Sequence, residues 1–402
     1  MADNETPTQK QGKKIDGESY IYFGIGVVFI ALISLLLYWN EYHCIKTKKS
    51  LFEAQSILVQ VRDISRIDPS LDGKLIHASG FADTKEVLED DLFGASETAI
   101  HLYRRVEYYQ YEEHEKTDDD GDKTYSYQKV WSTSPINSKN FYHAYSHTNH
   151  VLVKIAAKSI YANDVRFGAY RLPPFILSSI GGSTPAQIKW SESQFNEWKD
   201  VIFNNEQALL QSGDRKKRSK ESGTPMVHVN GNTVFFGASP ADPAIGDVRV
   251  TMTKIAPLQI SIIAKVSGDT FEEFFAENGK KVTVVKRGTG SAAQMMTAAH
   301  ASNNLWSWVF RVICLLLIMG IWSMMLSLSS DLFKAIPCIR SMVEAAASFT
   351  GKLFGVSWAL LLIAIMWMRY KPVVGVALVV AVVAGIWYFH FIVTKRKHET
   401  NL

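Results

Sequence analysis

Three histidines, His143, His147 and His150, fall at i, i+4 and i+7. On a helix that spacing could present three imidazoles to one metal ion. The surrounding FYHAYSHTNH is aromatic and polar, and no glutamate stands in an HExxH pattern, so these read as structural or surface histidines. The run Asp118-Asp119-Asp120-Gly121-Asp122 invites a calcium loop. The EF-hand template fails there, because Lys116 takes its first ligand position and Tyr127 its last; a solvated turn is the simpler reading. Glu107 and Lys139 could do acid–base work only with partners that the sequence does not supply. There is no G-x-S-x-G, no phosphate-binding glycine loop and no cysteine in this central region. No catalytic, cofactor-binding or metal-binding residue is therefore assigned. A hydrolase using the domain histidines stands as an alternative that bound-metal analysis would separate.

The elements around these residues are set by four long apolar stretches, one near the start of the chain and three near its end. The first runs from Ile21 to Trp39 without a charge. The second spans about Trp306 to Leu328 and carries Arg311. The third covers about Leu353 to Met368 and the fourth about Pro372 to Val393. Stretches near twenty apolar residues match the hydrocarbon thickness of a bilayer. Between the first and second lie about 255 residues of ordinary globular composition, enough to bury a core. The fold class is therefore an α+β membrane protein, with four transmembrane helices and a large β-rich domain between helices one and two. The expected divisions are a tail at 1–19, a first span at 20–40, the domain at 41–304 and a second span at 305–328. An interfacial amphipathic helix at 329–352, spans at 353–370 and 371–394, and a basic tail at 395–402 complete the chain. Tyr38-Trp39-Asn40-Glu41 replaces a small-residue cleavage site, so the first span reads as an uncleaved anchor.

Basic residues near the spans orient them. Lys10, Lys13, Lys14, Lys334, Arg340 and Lys395 favour cytosolic termini and an external, periplasmic or lumenal domain. The net charge of +4 is too small to argue for nucleic acid, and three cysteines in or beside spans give the domain no disulfide framework.

Within the domain, residues 45–66 have helical spacing, Lys74 to Gly80 reads as a strand, and a short helix is expected from Thr84 to Leu92. Tyr103 to Glu113 and Lys123 to Trp131 form an aromatic β-hairpin. Residues 188–211 read as an amphipathic helix, followed by a basic loop at 213–220. Asn230 to Gly237 echoes Asp72 to Gly80, suggesting a duplicated β module over about 70–180 and 228–290. Arg311 lies about one turn inside its span, as an interface anchor or as one half of an ion pair with a neighbouring helix. No acidic residue lies deep in any span, which counts against a pump or coupled transporter. Gly355, Ser357, Gly375 and Gly385 are small enough for close helix contact.

Several short sequences in order now carry a resemblance. They are Asn40-Glu41, Gly73-Lys74-Leu75-Ile76-His77-x-x-Gly80, Arg104-Arg105-Val106-Glu107-x-Tyr109-Gln110, Ile136-Asn137-Ser138-Lys139-Asn140-Phe141, Gly246-Asp247-Val248-Arg249-Val250, Trp308 with Arg311, and Tyr370-Lys371-Pro372. With this topology the chain resembles the transmembrane protein 43 family, also called LUMA. The segment before the first span, residues 181–230 and the final tail depart from the animal pattern. The resemblance implies residence in the endoplasmic reticulum and inner nuclear membrane for animal members, self-association, and organisation of membrane complexes. It supplies no catalytic residues. Sparse cysteines and a compact tail suit a bacterial homologue in the cytoplasmic membrane, where lamin binding does not apply. The expected function is a non-enzymatic scaffold that forms homo-oligomers and contacts membrane lipids and other membrane proteins, with no nucleic acid and no small-molecule substrate. An oligomeric channel-like or lipid-handling protein is the alternative. Arg104, Arg105, Glu107, Asp247 and Arg249 are expected to carry polar contacts within or between subunits, and Asn137 and Lys139 to fix the turn after the hairpin.

Overall fold

The computed structural model describes the backbone of residues 17–117, 122–211, 224–332, 337–368 and 372–399; side chains at 17–20, 210, 327–332, 337–350, 389–390 and 392–399 lie outside the description. The acidic tip at 118–121, the basic loop at 213–220 and the Tyr370-Lys371 turn fall outside the described residues. Six helices are present among the described residues: α1 (Gly17–Ile57), α2 (Pro174–Leu177), α3 (Glu192–Gln211), α4 (Ala292–Leu332), α5 (Pro337–Met368) and α6 (Pro372–Glu399). The chain divides into two compact units. One holds residues 57–274 and 283–295, the other the long helices with residues 275–282.

The β-rich unit contains two seven-stranded sheets. In the first, Leu75–Asp83 pairs antiparallel with Leu258–Ser267, placing Ile262 opposite Ala78. Apolar residues largely alternate along both strands: Ile76, Ala78, Ile260, Ile262 and Ala264 are fully buried on one face, while His77, Ser79, Ser261 and Lys265 stand on the other. In the second sheet, His101–Thr117 lies between Lys123–Ser132 and Val248–Ile255. Here too the pattern alternates. Val248, Val250 and Met252 point into the core, while Arg249, Thr251 and Thr253 line the other face. Period-two burial of this kind is what a half-solvated strand imposes. The two turn–strand–glycine stretches around Leu75 and Thr233 lie in different sheets, with different partners.

Three local expectations change. Residues 45–66 do not form one helix: α1 ends at Ile57, because Val59–Val61 pairs in parallel with Ile76–Ala78 and that pairing requires extended backbone. Thr84–Leu92 is not helical either. Val87–Asp90 pairs with Ala95–Thr98, with Leu88 and Asp90 turned inward and Val87 and Glu89 outward. Tertiary pairing overrides the weak local helix preference. The amphipathic helix starts at Glu192 rather than at 188, because Ser191 and Gln194 form a reciprocal capping box: the Gln194 N–H donates to Ser191 Oγ (3.2 Å) and the Ser191 N–H to Gln194 Oε1 (3.0 Å). α3 then packs Trp198 against Phe93 and Phe236, with ring centroids 5.8 and 5.1 Å apart.

In the helical unit, Ile21–Ile57, Ala292–Leu326 and Gly351–Met368 are long and apolar enough to cross a membrane, and Pro372–Tyr388 is a shorter apolar helix. Residues 337–352 and the third span share one uninterrupted helix, α5, which opens on Pro337, where a missing N–H costs nothing. α1 and α4 run antiparallel. Leu37 and Ile33 pack with Cys314 and Ile318, and farther along Gly26 leaves room for Met325.

The hairpin turn at Gly94 is a tightly constrained backbone position beside the core: φ is +59°, and a Cβ there would strike the Lys189 carbonyl. Gly94→Ala is expected to lose about 1–2 kcal/mol from the left-handed backbone, plus the cost of displacing Lys189. Chemical unfolding of the purified variant checks this; an unchanged midpoint would contradict the turn geometry.

Candidate functional site

The charged residues picked out from the sequence gather in three places. The first is a buried pair. Arg104 points into the core from Arg104–Val106 of its strand and donates through Nη1 to both oxygens of Asp90, at 2.8 and 2.9 Å. Its Nε donates to the Ala156 carbonyl (2.9 Å), and its guanidinium lies 5.5 Å from the Phe93 ring centroid. Both side chains are nearly inaccessible, so each depends on the other to offset lost hydration. Asp90 was invisible as a partner while residues 84–92 read as a helix; the inward phase of the strand places it.

The second lies on the other face of the same sheet. Glu107 accepts from Arg249 Nε and Nη2 at 3.0 and 2.9 Å, and from Arg105 Nη2 at 2.8 Å. Arg249 sits directly opposite Glu107 in the strand register and stacks 4.3 Å above the Trp131 ring. The carboxylate is shielded, whereas Arg105 is about half exposed. Asp247 is fully buried and accepts the Ala244 N–H at 2.7 Å, closing the turn that leads into this strand. Asn137 caps a short 3-10 turn by accepting the Lys139 N–H (3.1 Å), while the Lys139 side chain is exposed. The histidine cluster is not on a helix. His143–Ser146 forms a turn, and His147 stacks on Tyr127 with centroids 3.6 Å apart. Among the described residues no three His, Cys, Asp or Glu side chains converge as metal ligands.

Among the perturbed titrating groups of this unit, His101 and Glu97 are the partly buried ones. His101 is held below its ordinary value by burial; its Nε2 lies 2.7 Å from Ser159 Oγ and its ring stacks on Tyr161. Burial alone would raise Glu97, but the Lys254 ammonium at 2.5 Å and the Gln187 N–H outweigh it and hold the carboxyl below the usual range.

The third place is at the end of the helical unit where α1 leaves its apolar run. Glu41 is fully buried and forms a two-point pair with Arg311 of α4: Nε donates to one carboxylate oxygen, and Nη2 to the other at 2.7 Å. Trp367 of α5 donates its indole N–H to that second oxygen at 2.9 Å. The guanidinium lies 4.8 Å from the Trp308 centroid. Asn40 donates to the Ser307 carbonyl and hydroxyl, both at 3.3 Å, and Asn303 to the Cys44 carbonyl at 3.1 Å. The polar seam continues the antiparallel register of α1 and α4. Arg311 is thus one half of an ion pair rather than a solvent-seeking anchor. Sequence reasoning missed Glu41 and Trp367. The usable signal was depth: Glu41 stands two residues past Trp39, and Arg311 a turn or so past Trp306, so antiparallel helices bring them level. Gly355 packs tightly: a Cβ there would lie 2.7 Å from Met319 Cα. Gly375 abuts Met368, but Gly385 has nothing within 4 Å and permits no described contact. Ser357 is half-buried on α5.

A helical hairpin clasped by a buried ion pair, with a two-sheet domain inserted in its connection, can be compared with known proteins. A profile described as transmembrane protein 43 matches residues 105–372, more than half of the chain. The chain belongs to the transmembrane protein 43 family. Curated relatives named transmembrane protein 43 from Pongo abelii and Homo sapiens are each 25% identical over 374 residues, covering 90% of this chain and 88% of the relative. A transmembrane protein 43 homolog from Drosophila melanogaster is 25% identical over 374 residues, covering 89% and 90%. No solved structure matches. The profile spans the second sheet's charged face and the Arg311 and Trp367 arms of the clasp; Glu41 and Asp90 fall before it. As a member of the transmembrane protein 43 family, the chain is a multi-pass membrane protein.

Removing Arg311 strands a buried carboxylate, which is the costly way to break such a pair. Arg311→Met is expected to cost about 3–5 kcal/mol, and the E41M/R311M double variant to recover most of it. Thermal unfolding of the full chain in detergent checks this; equal losses in the single and double variants would exclude coupling. For His101, the folded value lies below the unfolded one. The associated stability is present above about pH 6.5 and declines as the pH falls through that value. His101→Gln should flatten the acid-side slope of domain stability, read by unfolding between pH 7.5 and 5.

Proposed function

We propose that this chain is a non-enzymatic integral membrane scaffold that self-associates and organises membrane protein complexes or membrane structure. The observation that supports this reading is where the charged side chains end. Arg104, Glu107, Arg249 and Arg311 each close on a partner within the fold. The guanidinium and carboxylate groups join strands and helices instead of converging on a cavity with poised acid–base chemistry. The partners of such a scaffold are membrane lipids, further copies of the chain and other membrane proteins. α6 offers a surface for them, with Val376, Val380, Val383 and Trp387 all exposed on the helix. The excess of lysine and arginine on the short segments favours cytosolic termini. The domain then faces the periplasm or exterior of a bacterial cell, or the lumen of the endoplasmic reticulum and inner nuclear membrane.

The full chain reconstituted in nanodiscs is expected to show a protein mass that is a multiple of 45.1 kDa by mass photometry or light scattering. A particle holding one copy at micromolar concentration would remove self-association from the reading.

A further inference from the structure

α1 is longer than a bilayer needs. Its described apolar stretch from Ile21 to Trp39 already spans the hydrocarbon at about 1.5 Å per residue. The helix then continues without a break to Ile57. Lys46 and Lys48 therefore stand about 10–14 Å beyond Trp39 along the axis, the depth of the headgroups. A third cation is brought there by the loop at 275–282 of the same unit. Asn278 is the clamp: its Nδ2 donates to the Lys46 carbonyl (2.9 Å), and its Oδ1 accepts from Ser50 Oγ (2.9 Å) and from the Lys280 N–H (2.9 Å). Lys280 is thereby held beside the Lys46 turn.

None of Lys46, Lys48 and Lys280 has a carboxylate partner among the described residues. Lys46 instead lies 5.8 Å from the Tyr42 centroid, and Lys48 5.6 Å from that of Trp367. The Glu41 carboxylate below them is satisfied by Arg311 and Trp367. Glu53, the next carboxylate along α1, is about 10 Å farther from the bilayer and accepts the Glu277 N–H. Exposed Trp39, Tyr42, Trp306 and Trp308 ring the same level, as aromatic side chains do at the edge of the hydrocarbon. Two residues apart on one helix, Lys46 and Lys48 face opposite sides of α1: Lys46, with Lys280 tied to its turn, on one side and Lys48 beside Trp367 on the other. Cations at headgroup depth on both sides of α1, over an aromatic girdle, suit phosphates carried by lipids.

We propose that Lys46 with Lys280 on one side of α1, and Lys48 on the other, bind the headgroups of anionic phospholipids in the leaflet at the domain end of the helices. This binding depends on the helices spanning a bilayer, not on self-association. The test uses the full chain purified in mild detergent and titrated with phosphatidylglycerol or phosphatidylcholine, read by native mass spectrometry. Phosphatidylglycerol is expected to be retained preferentially, with the preference falling as salt rises. Each Lys→Gln change should weaken that preference about fivefold. The K46Q/K48Q/K280Q variant should abolish it, whereas Lys139→Gln, an exposed lysine of the domain, should leave it intact. If the triple variant fails to fold, Lys280→Gln alone carries the test with its fivefold loss. Equal retention of the two lipids, or an unchanged preference in Lys280→Gln, would overturn the proposal.

Discussion

A carboxylate and a guanidinium removed from water are stable only while each holds the other, and Glu41 with Arg311 meets that condition at a point where three helices converge. The pair is planar and two-pointed, so it fixes rotation as well as distance between α1 and α4. Trp367 uses the remaining carboxylate lone pair and thereby brings α5 into the same arrangement. Helices in lipid gain little from apolar contact with each other, because lipid tails are equally apolar. The register of α1 against α4 must then come from polar groups and close fit. The seam of Asn40 with Ser307 and Asn303 with Cys44 supplies the first, and Gly26 and Gly355 the second.

The β-rich unit solves a related problem with a sheet. One strand, His101–Thr117, carries Arg104 on its buried face and Arg105 and Glu107 on the other. Successive residues of a strand point to opposite faces, so this short charged run serves two environments at once. Inside, Arg104 reaches Asp90 and ties the small hairpin to the sheet. Outside, Glu107 meets Arg249 across the strand pair, and Trp131 covers the guanidinium. Cross-strand opposite charges with an aromatic lid are a local device for fixing register. The short charged run Arg104-Arg105-Val106-Glu107 thus divides between two ion-paired sites, one on each face of the sheet.

Most of the architecture was legible because its signals are strong and local. Apolar runs of bilayer length, an aromatic hairpin with period-two alternation, and the arrival of α4 from residues 290–305 need no distant information. Misreadings fell where local preference is weak. Val59–Val61 and Val87–Asp90 are short, and each is extended only because a partner strand offers hydrogen bonds. Of the ion pairs these candidate residues make, Glu107 with Arg249 joins two that were picked from the sequence, whereas Arg104 and Arg311 meet partners that were not. Asp90 and Glu41 carry no periodic signature; their roles follow from which face of an element they occupy and how far along it they lie.

By itself the sequence determined that this chain crosses a membrane, how many apolar helices it brings, and that a water-compatible β-rich domain interrupts them, since hydrocarbon thickness and side-chain periodicity are written residue by residue. Only the tertiary structure decided which charge meets which. Ion pairing joins positions some 270 residues apart in the chain, as for Glu41 and Arg311, and the distance between two side chains depends on the packing of every element between them.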